Sequence, residues 1–253
     1  MDTPPKLRLF VDAALAPGAA LPLTAEQAHY LLSVMRAAAG TPVAVFNGRD
    51  GEWRARLEPA GRKGGRLILE SPSRPQAPEP DLWLLFAPIK RTRIAFIAEK
   101  ATELGVSALQ PVFTRHTVMS RVNDERLRAI AIEAAEQCER LSVPQVRPAA
   151  ALDSLLAGWP SERRLILLDE GGGGRPVAEA LGALPPGPAA LLVGPEGGFA
   201  AAELEALRAL PFTVPVGLGP RILRADTAAL AALACYQALC GDGGLPPRLS
   251  SLS

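Results

Sequence analysis

The chain has 253 residues, 48% of them hydrophobic, and a formal net charge of +1 at pH 7. This length is sufficient for one or two domains with a sizeable core. No apolar run of about 18 residues is present, and the N-terminus lacks the charged-then-apolar pattern of a signal peptide. We therefore expect a cytoplasmic location and no membrane partner. Three cysteines without C-x-x-C spacing and two distant histidines predict neither a disulfide framework nor a metal site.

The N-terminal part contains short apolar runs separated by turn residues. The runs cover residues 7–11, 43–46, 53–57 and 67–69. Short strands with Asn-Gly and Asp-Gly turns between them are typical of a small β-barrel or sandwich. After the first run, residues 25–38 are predicted to form a helix, which Thr24 and Gln27 would cap reciprocally.

A proline-rich stretch separates this part from the rest of the chain. Four prolines lie between Ser71 and Pro80. Such a segment continues neither a helix nor a central strand, so it is typical of a stiff linker. We predict a first domain over residues 1–72, a linker over 73–80 and a second domain over 81–253.

Beyond the linker, apolar runs alternate with helical patterns. Predicted buried strands cover residues 82–86, 108–113, 165–168, 189–193 and 212–216. Predicted helices lie near residues 92–104, 123–141, 175–182, 200–210 and 226–240. This alternation indicates an α/β domain with a mostly parallel sheet covered on both faces.

Two of these strands run into glycine-rich loops that precede helices. The first loop is Gly194-Pro195-Glu196-Gly197-Gly198-Phe199, and the second, over residues 217–225, contains Ile222 and Leu223. In open α/β sheets ligands bind at the carboxyl ends of strands, where glycines let the backbone approach them. Neither loop has the spacing of a dinucleotide or P-loop motif. Each is therefore either a site for another ligand or a structural turn.

Together the two loops resemble the cofactor-binding end of the RsmE family, a branch of the SPOUT methyltransferases. Three further stretches resemble the same family and extend the likeness over essentially the whole chain. The first stretch is Lys90-x-x-Arg93 with residues 99–106. The second is the predicted helix that contains Glu133, Glu136, Cys138 and Arg140. The third lies in the N-terminal part and consists of Arg8-x-Phe10-Val11, His29 and Val34-Met35-Arg36.

The resemblance implies both the fold and the activity. The N-terminal part would be a PUA-like β-barrel that binds RNA, and the C-terminal part an α/β SPOUT domain with a deep trefoil knot. The protein would be a metal-free homodimer that uses S-adenosyl-L-methionine (AdoMet) to methylate N3 of a uridine in small-subunit (16S) ribosomal RNA, free or within the 30S subunit. The final helix, rich in Ala and Leu, is then either a dimer-interface helix or a core helix of one subunit.

The resemblance also implies roles for individual residues. Arg224 and Asp226 would be catalytic, and Glu136 and Arg140 a second pair whose spacing also fits a plain helical ion pair. The cofactor would contact Leu168, Val193, Gly194, Pro195, Glu196, Gly197, Gly198, Val216, Leu218, Gly219, Ile222 and Leu223. Independently of the resemblance, the basic cluster of Lys90, Arg91 and Arg93 at the start of a predicted helix is expected to contact RNA. Arg8 and Arg36, with Arg54 and Arg56, would form a second basic, RNA-binding face on the barrel. We expect valine at Gly197 to abolish cofactor binding.

The chain departs from the usual family pattern at three points. Asp226 stands where Glu is usual, Ala200 where a capping Ser is common, and Arg115-His116 where Glu-Arg is commoner, so no role is assigned to the last two. Two alternatives remain: a SPOUT enzyme that methylates the ribose 2′-oxygen, and a non-catalytic RNA-binding assembly protein. Of 27 basic residues 23 are arginine, which fits RNA recognition or a codon bias.

Overall fold

The protein is represented by a computed structural model that describes residues 5–61, 64–89 and 91–246. Lys90, one of the predicted RNA-binding residues, lies outside the described residues, and so does the side chain of Arg91. The chain divides into two compact units. The first comprises Met1–Pro78 and Ile132–Val143, and the second comprises Glu79–Ala131 and Pro144–Ser253.

The first unit is built on a sheet of short strands, as predicted. They are β1 (Leu7–Phe10), β2 (Ala20–Pro22), β3 (Pro42–Phe46), β4 (Glu52–Pro59) and β5 (Gly65–Arg74). Within the described ranges their order is β1-β3-β4-β5-β2, with β1 parallel to β3 and the other neighbours antiparallel. Alternate residues of these strands form an apolar core that includes Leu9, Val45 and Leu57.

The helix predicted over residues 25–38 is shorter and partly π-helical. Helix α1 (Ala25–Ala28) begins after Thr24, whose side chain accepts the N–H of Gln27 while the Gln27 side chain accepts the N–H of Thr24. The predicted capping box is therefore confirmed. The chain continues as a π-helix over His29–Val34.

The segment Ile132–Val143 belongs to the first unit, although the sequence pattern assigns it to the second domain. It includes the end of α3 (Asp124–Gln137). Glu136 accepts the N–H of Phe10 at 2.8 Å, and Arg8 donates to a main-chain carbonyl of the helix at 2.6 Å. These bonds join residues 126 and 127 positions apart, so no local pattern could have predicted them.

The second unit contains a parallel sheet. Its strands are β6 (Leu82–Phe86), β7 (Ala108–Phe113), β8 (Gln145–Val146), β9 (Ala150–Ala151), β10 (Arg164–Leu168), β11 (Arg175–Pro176), β12 (Ala189–Val193) and β13 (Thr213–Gly217). Within the described ranges the order is β11-β13-β10-β12-β6-β7-β8, and β9 pairs with β7. Every one of these pairings is parallel, which confirms the predicted sheet type.

The helices of the second unit connect these strands. They are α2 (Arg91–Glu103), the first part of α3, α4 (Leu152–Ala157), α5 (Val177–Gly182), α6 (Ala201–Ala209) and α7 (Ala225–Leu239). The described helices include none that is long and apolar enough to cross a membrane. In α7, Leu233 and Tyr236 are buried whereas Ala234 and Leu239 are exposed. Within a single chain α7 is therefore buried on one face only, and a dimer-interface role for its other face stays a prediction.

Candidate functional site

The carboxyl ends of β10, β12 and β13 border a cavity of about 790 Å³ in the second unit. Because β10 pairs with both other strands, the loops that follow all three surround the same space. The predicted cofactor-binding residues that line it are Leu168, Val193, Gly194, Pro195, Glu196, Val216, Leu218, Gly219, Ile222 and Leu223. Pockets for small organic ligands usually measure about 300–1,000 Å³, so we name this space the cofactor cleft.

The two remaining predicted glycines, Gly197 and Gly198, differ from each other. Gly198 has a φ of +67°, and a Cβ there would lie 2.0 Å from a carboxylate oxygen of Glu170. That carboxylate accepts the N–H of Phe199 at 2.9 Å. At Gly197 a Cβ would meet only His116, at an ordinary 3.6 Å. The protein's own atoms therefore require glycine at Gly198 but not at Gly197, and the expected loss of cofactor binding with valine at Gly197 stays a prediction.

The start of α6 is held by side chains that the sequence did not single out. Ala200 has no side-chain oxygen, and Glu203 accepts its N–H at 3.3 Å. The other oxygen of Glu203 accepts the N–H of Arg115, also at 3.3 Å. His116 Nδ1 lies 3.1 and 3.2 Å from the carbonyl oxygens of Gly197 and Gly198, so the tautomer with a proton on Nδ1 donates to them. The only sequence signal for His116 was its departure from the family pattern.

The loop after β10 is fixed by a buried carboxylate that the sequence also missed. Both oxygens of Asp169 accept hydrogen bonds from the Arg208 guanidinium, each at 2.7 Å. The N–H of Gly171 donates to the same carboxylate at 2.9 Å. A Cβ at Gly173 would lie 2.7 Å from Arg208. The glycine run after the strand therefore makes room for Arg208, which a glycine count alone does not reveal.

An apolar wall and a cation form the third side of the cleft. Ile222 is 100% exposed, and Ile222, Leu223 and Arg224 all line the cavity. An isolated exposed apolar residue is ordinary, but one on a loop beside a cavity suits the wall of a ligand site. Arg224 is exposed at the N-terminus of α7.

Asp226 and Arg93 are brought together by the fold. The Arg93 guanidinium contacts the Asp226 carboxylate at 2.7 Å, at the starts of α2 and α7 respectively. The other carboxylate oxygen accepts the N–H of Thr227 at 2.9 Å. A predicted RNA-binding residue and a predicted catalytic residue thus form one ion pair. Among the described residues, no group of three or more His, Cys, Asp or Glu side chains is arranged to hold a metal ion.

Arg8 is buried in the first unit, so its predicted position on an exposed basic face is wrong. It is 8% exposed, and its guanidinium pairs with Glu52 at 2.7 Å and lies over the ring of Phe46. It also donates to the carbonyl oxygens of Ala135 and Arg140. Burial lowers the pKa of the Arg8 guanidinium. A guanidinium with all these partners inside the protein is not offered to a phosphate.

The second predicted catalytic pair also lies in the first unit. Glu136 accepts the N–H of Phe10, and burial raises the pKa of its carboxyl group to about 7 against this hydrogen bond and the charge of Arg8. The Arg140 guanidinium donates to the Ser142 hydroxyl at 3.2 Å. These contacts account for both residues structurally, and their catalytic role stays a prediction.

The other arginines of the sheet differ in how they are neutralised. Arg54 and Arg56 both contact Glu70, at 3.4 and 2.5 Å, and Arg66 contacts Glu58 at 2.8 Å. Arg36 is exposed and has a φ of +51°. The predicted basic face is therefore largely balanced by carboxylates, except at Arg36.

Comparisons with known proteins match two families to successive parts of the chain. The RNA methyltransferase domain family matches residues 76–237, and the RNA methyltransferase PUA domain matches residues 23–70. "Ribosomal RNA small subunit methyltransferase E" of Rickettsia conorii is 31% identical over 230 residues, which cover 90% of this chain and 93% of that protein. The Synechocystis protein of the same name is 35% identical over 228 residues, or 87% of this chain and 74% of that one. The chain belongs to the RsmE family.

Solved structures extend the similarity to the fold. The enzyme from Neisseria gonorrhoeae bound to S-adenosyl methionine is 30% identical, with a TM-score of 0.82 over 93% of this chain and 98% of that one. A Legionella pneumophila methyltransferase with bound SAM has 29% identity, the same TM-score and the same coverage. The predicted RsmE membership is confirmed, and so is an α/β methyltransferase domain preceded by a PUA domain.

Proposed function

We propose that this RsmE protein transfers a methyl group from AdoMet to N3 of a uridine in 16S ribosomal RNA of the small subunit. The observation that carries the proposal is the cofactor cleft, in which the loops after β10, β12 and β13 combine close main-chain approach, an apolar wall and Arg224. The names of the similar proteins point to the same RNA.

AdoMet fits the chemistry of the cleft. Ile222 and Leu223 would provide an apolar wall for the adenine, and Leu218 and Gly219 line the same cleft. The carboxylates of Glu170 and Glu196 also line the cleft and complement a cationic ligand. The other predicted cofactor residues of the cleft would complete the contact surface. When bound, AdoMet supplies an electrophilic methyl group.

The chain's own residues would handle the charge and the proton of the uracil ring. N3 of uridine carries a weakly acidic proton, so a base has to be within hydrogen-bond reach and a cation has to meet the developing negative charge. Arg224 is the proposed cation. Asp226 is the proposed base, and Arg93 orients its carboxylate through their 2.7 Å contact.

RNA binding is proposed for both parts of the chain. Residues 1–72 would form the RNA-binding PUA-like domain, 73–80 the linker, and 81–253 the SPOUT domain. Arg36, Lys90, Arg91 and Arg93 would contact phosphates, which position RNA without specifying its sequence. We propose that the protein works in the cytoplasm, where its RNA substrate is found. Because Arg8 bonds to Ala135, RNA binding has to be tested on the full chain rather than on residues 1–72.

A homodimer is proposed from the unburied side of α7. Leu239 is 48% exposed, and Ala234 and Ala238, one turn apart on α7, are also exposed. Small residues one turn apart let a second helix approach closely. Light scattering at micromolar concentration is expected to give the mass of two chains, and a stable monomer would contradict the proposal.

A trefoil knot in the second unit is proposed from the strand order. β11 follows β10 along the chain, yet β13, which comes much later, lies between them in the sheet. This order, in which a later strand lies between two strands that are consecutive in the chain, supports a segment threaded between them. A Cβ at Gly174 would lie 2.4 Å from the main chain of Val216, which indicates how closely the segments pass. An experimental chain trace without a crossing would contradict the knot.

The decisive experiment uses small ribosomal subunits, and separately free 16S RNA, that lack the modification. Incubation with the protein and labelled AdoMet, followed by nucleoside mass spectrometry and mapping, is expected to yield N3-methyluridine at one position. A 2′-O-methylated product would instead identify a ribose methyltransferase. Failure to bind AdoMet in calorimetry would identify a non-catalytic RNA-binding protein.

A further inference from the structure

Three large apolar side chains form an exposed patch on the first unit. Tyr30 is 38% exposed, Val34 57% and Met35 46%. They are neighbours because the chain is π-helical here, with the Met35 N–H donating to the carbonyl of Tyr30 at 2.9 Å. Single exposed apolar residues are common, but a contiguous group marks an interaction site. We call these three residues and Arg36 the Tyr30 patch.

The Tyr30 patch is held firmly by the core beneath it. Leu31 is completely buried among the core residues of the sheet, and Leu32 and Ala37 pack against the same core. The Ala37 N–H donates to the carbonyl of Leu31 at 2.8 Å and so closes the turn around Arg36. The patch therefore exists before any ligand binds, which lowers the entropic cost of binding.

Arg36 adopts a conformation that its side chain disfavours. Its φ is +51°, a left-handed geometry that costs a residue other than glycine roughly 1–2 kcal/mol. Glycine or asparagine is usual at such a helix end. Backbone strain of this kind clusters at functional sites, where it fixes the direction of a side chain. The position therefore points to a task for the guanidinium.

The charge of Arg36 is also uncompensated. Among the described residues no carboxylate pairs with it, whereas Arg54 and Arg56 share Glu70. The patch therefore combines an aromatic ring, two flexible apolar side chains and a cation that is not neutralised inside the protein. This combination is complementary to a nucleobase attached to a phosphate.

We propose that the Tyr30 patch binds an unpaired nucleotide of the RNA substrate. The base stacks on Tyr30 and packs against Val34 and Met35, and Arg36 contacts the adjacent phosphate. This inference rests on the proposed function for the nature of the ligand and adds a second RNA site on the first unit. A protein partner is disfavoured, because three side chains cover far less than the roughly 800 Å² that a stable protein interface buries on each side.

The test measures binding of a fluorescent, mixed-sequence single-stranded RNA of 12 nucleotides to the full chain, by anisotropy, beside the same sequence as a duplex. Tyr30→Ala is expected to weaken single-strand binding roughly 5- to 150-fold, the range for loss of one base stack, and duplex binding much less. Tyr30→Phe keeps the ring and is expected to bind normally. Val34→Ser, at a more exposed position, provides a second variant that does not depend on the packing of Tyr30.

Two further variants separate the contributions. Arg36→Gly removes the cation while suiting the left-handed backbone, so the protein is expected to remain folded and the salt dependence of RNA binding to fall by about one phosphate contact. Val118→Ser, at a 95% exposed position of the second unit, is the matched control and is expected to leave affinity unchanged.

Unchanged single-strand binding by folded Tyr30→Ala and Val34→Ser would overturn the inference. An equal loss in Val118→Ser would overturn it as well. If light scattering shows that Tyr30→Ala turns a dimer into a monomer, the occupant of the patch is a second copy and the inference fails. Nucleoside mass spectrometry of the wild-type product distinguishes failure of this inference from failure of the proposed function. If the wild type forms N3-methyluridine and Tyr30→Ala binds RNA normally, only the inference about the Tyr30 patch is refuted. If the wild type forms no N3-methyluridine, the proposed function is refuted.

Discussion

Each of the two units contains an arginine–carboxylate pair of the same length, but the two pairs differ in how deeply they are buried. Arg8 and Glu52 in the first unit, and Arg93 and Asp226 in the second, each meet at 2.7 Å. The side chains of the first pair are 7% and 5% exposed, those of the second 28% and 14%. A fully desolvated charge has to keep its partner, whereas a partly hydrated one can exchange it for a ligand. Burial, and not the residue type, separates an arginine that is enclosed by the protein from one that is open to a ligand.

The largest expected effect breaks the buried pair. Arg8→Ala removes the 2.7 Å partner of the buried Glu52 carboxylate and leaves Arg74 at 3.4 Å beside it. This change is expected to lower the free energy of unfolding by about 3–5 kcal/mol. Arg93→Ala removes a contact of the same length and is expected to cost less than about 1 kcal/mol. Urea denaturation measures both. Equal losses of unfolding free energy in the two variants would contradict the distinction between the two pairs. A stable Arg8→Ala protein with impaired RNA binding would show that Arg8 contacts RNA after all.

The second prediction concerns the exposed cation of the cleft. Arg224→Ala is expected to slow single-turnover methyl transfer roughly 100- to 1,000-fold, as for loss of a group aimed at developing charge. AdoMet affinity should change little, because AdoMet is itself cationic. Arg175→Ala, at an exposed surface pair with Glu179, is the control. A near-normal rate with saturating substrates would remove Arg224 from catalysis, and a loss of RNA affinity alone would make it a phosphate anchor.

The third prediction uses the buried carboxyl group of the first unit. Burial raises the pKa of Glu136 from 4.5 to about 7. When folding raises the pKa of a carboxyl group, the protonated group stabilises the folded protein fully at a pH below its unfolded-state pKa. This stabilisation is lost as the pH rises through the folded-state pKa. Glu136→Gln removes this loss and can still accept the N–H of Phe10. We therefore compare the free energy of unfolding of Glu136→Gln with that of the wild type at two pH values. The difference is expected to favour the variant by about 3 kcal/mol more at pH 8 than at about pH 4.5.

Denaturation curves at both pH values check this expectation, and a pH-independent difference would contradict it. The same variant tests the predicted catalytic role of Glu136. A large loss in single-turnover rate at pH 8, with the protein folded, would support that role. An unchanged rate would leave Glu136 as a structural residue.

A smaller effect is expected from two adjacent glycines of the cofactor loop. Gly198→Ala forces a Cβ against Glu170 and a disfavoured φ, so it is expected to weaken AdoMet binding by about tenfold or more, the equivalent of roughly 1.4 kcal/mol. Gly197→Ala meets only ordinary contacts and is expected to retain affinity within about threefold. Calorimetry on the two folded variants gives the ratio, and a larger loss at Gly197 would reverse the assignment.

The smallest effect is expected from His116, an exposed partner of the same loop. His116→Ala removes hydrogen bonds to two main-chain carbonyls and is expected to weaken AdoMet binding roughly 2- to 10-fold. His116→Asn retains a short donor and is expected to recover part of this loss. Identical affinities for the wild type and the alanine variant would show that His116 does not support the loop.

Local patterns in the sequence were sufficient for much of the fold and of the cleft. Strands β6, β7 and β12 follow from apolar runs, and the capping box at Thr24 follows from residue spacing, because these features depend on neighbours in the chain. Family membership followed from motifs such as residues 194–199. The sequence pattern did not predict the π-helix over His29–Val34, nor that Gly197 lies outside the lining of the cleft. Both features depend on the residues that pack against these segments in the folded chain.

The sequence by itself determined the strand–helix alternation, the RsmE family and about half of the residues around the cleft, because periodicity and motifs are contained in short stretches. Only the tertiary structure decided that Arg8 is buried against Glu52, that Ile132–Val143 joins the first unit, and that Arg93 meets Asp226. The physical reason is that burial and pairing are set by residues distant in sequence. The role of a charge follows from the water and the partners around it, and a linear motif contains neither.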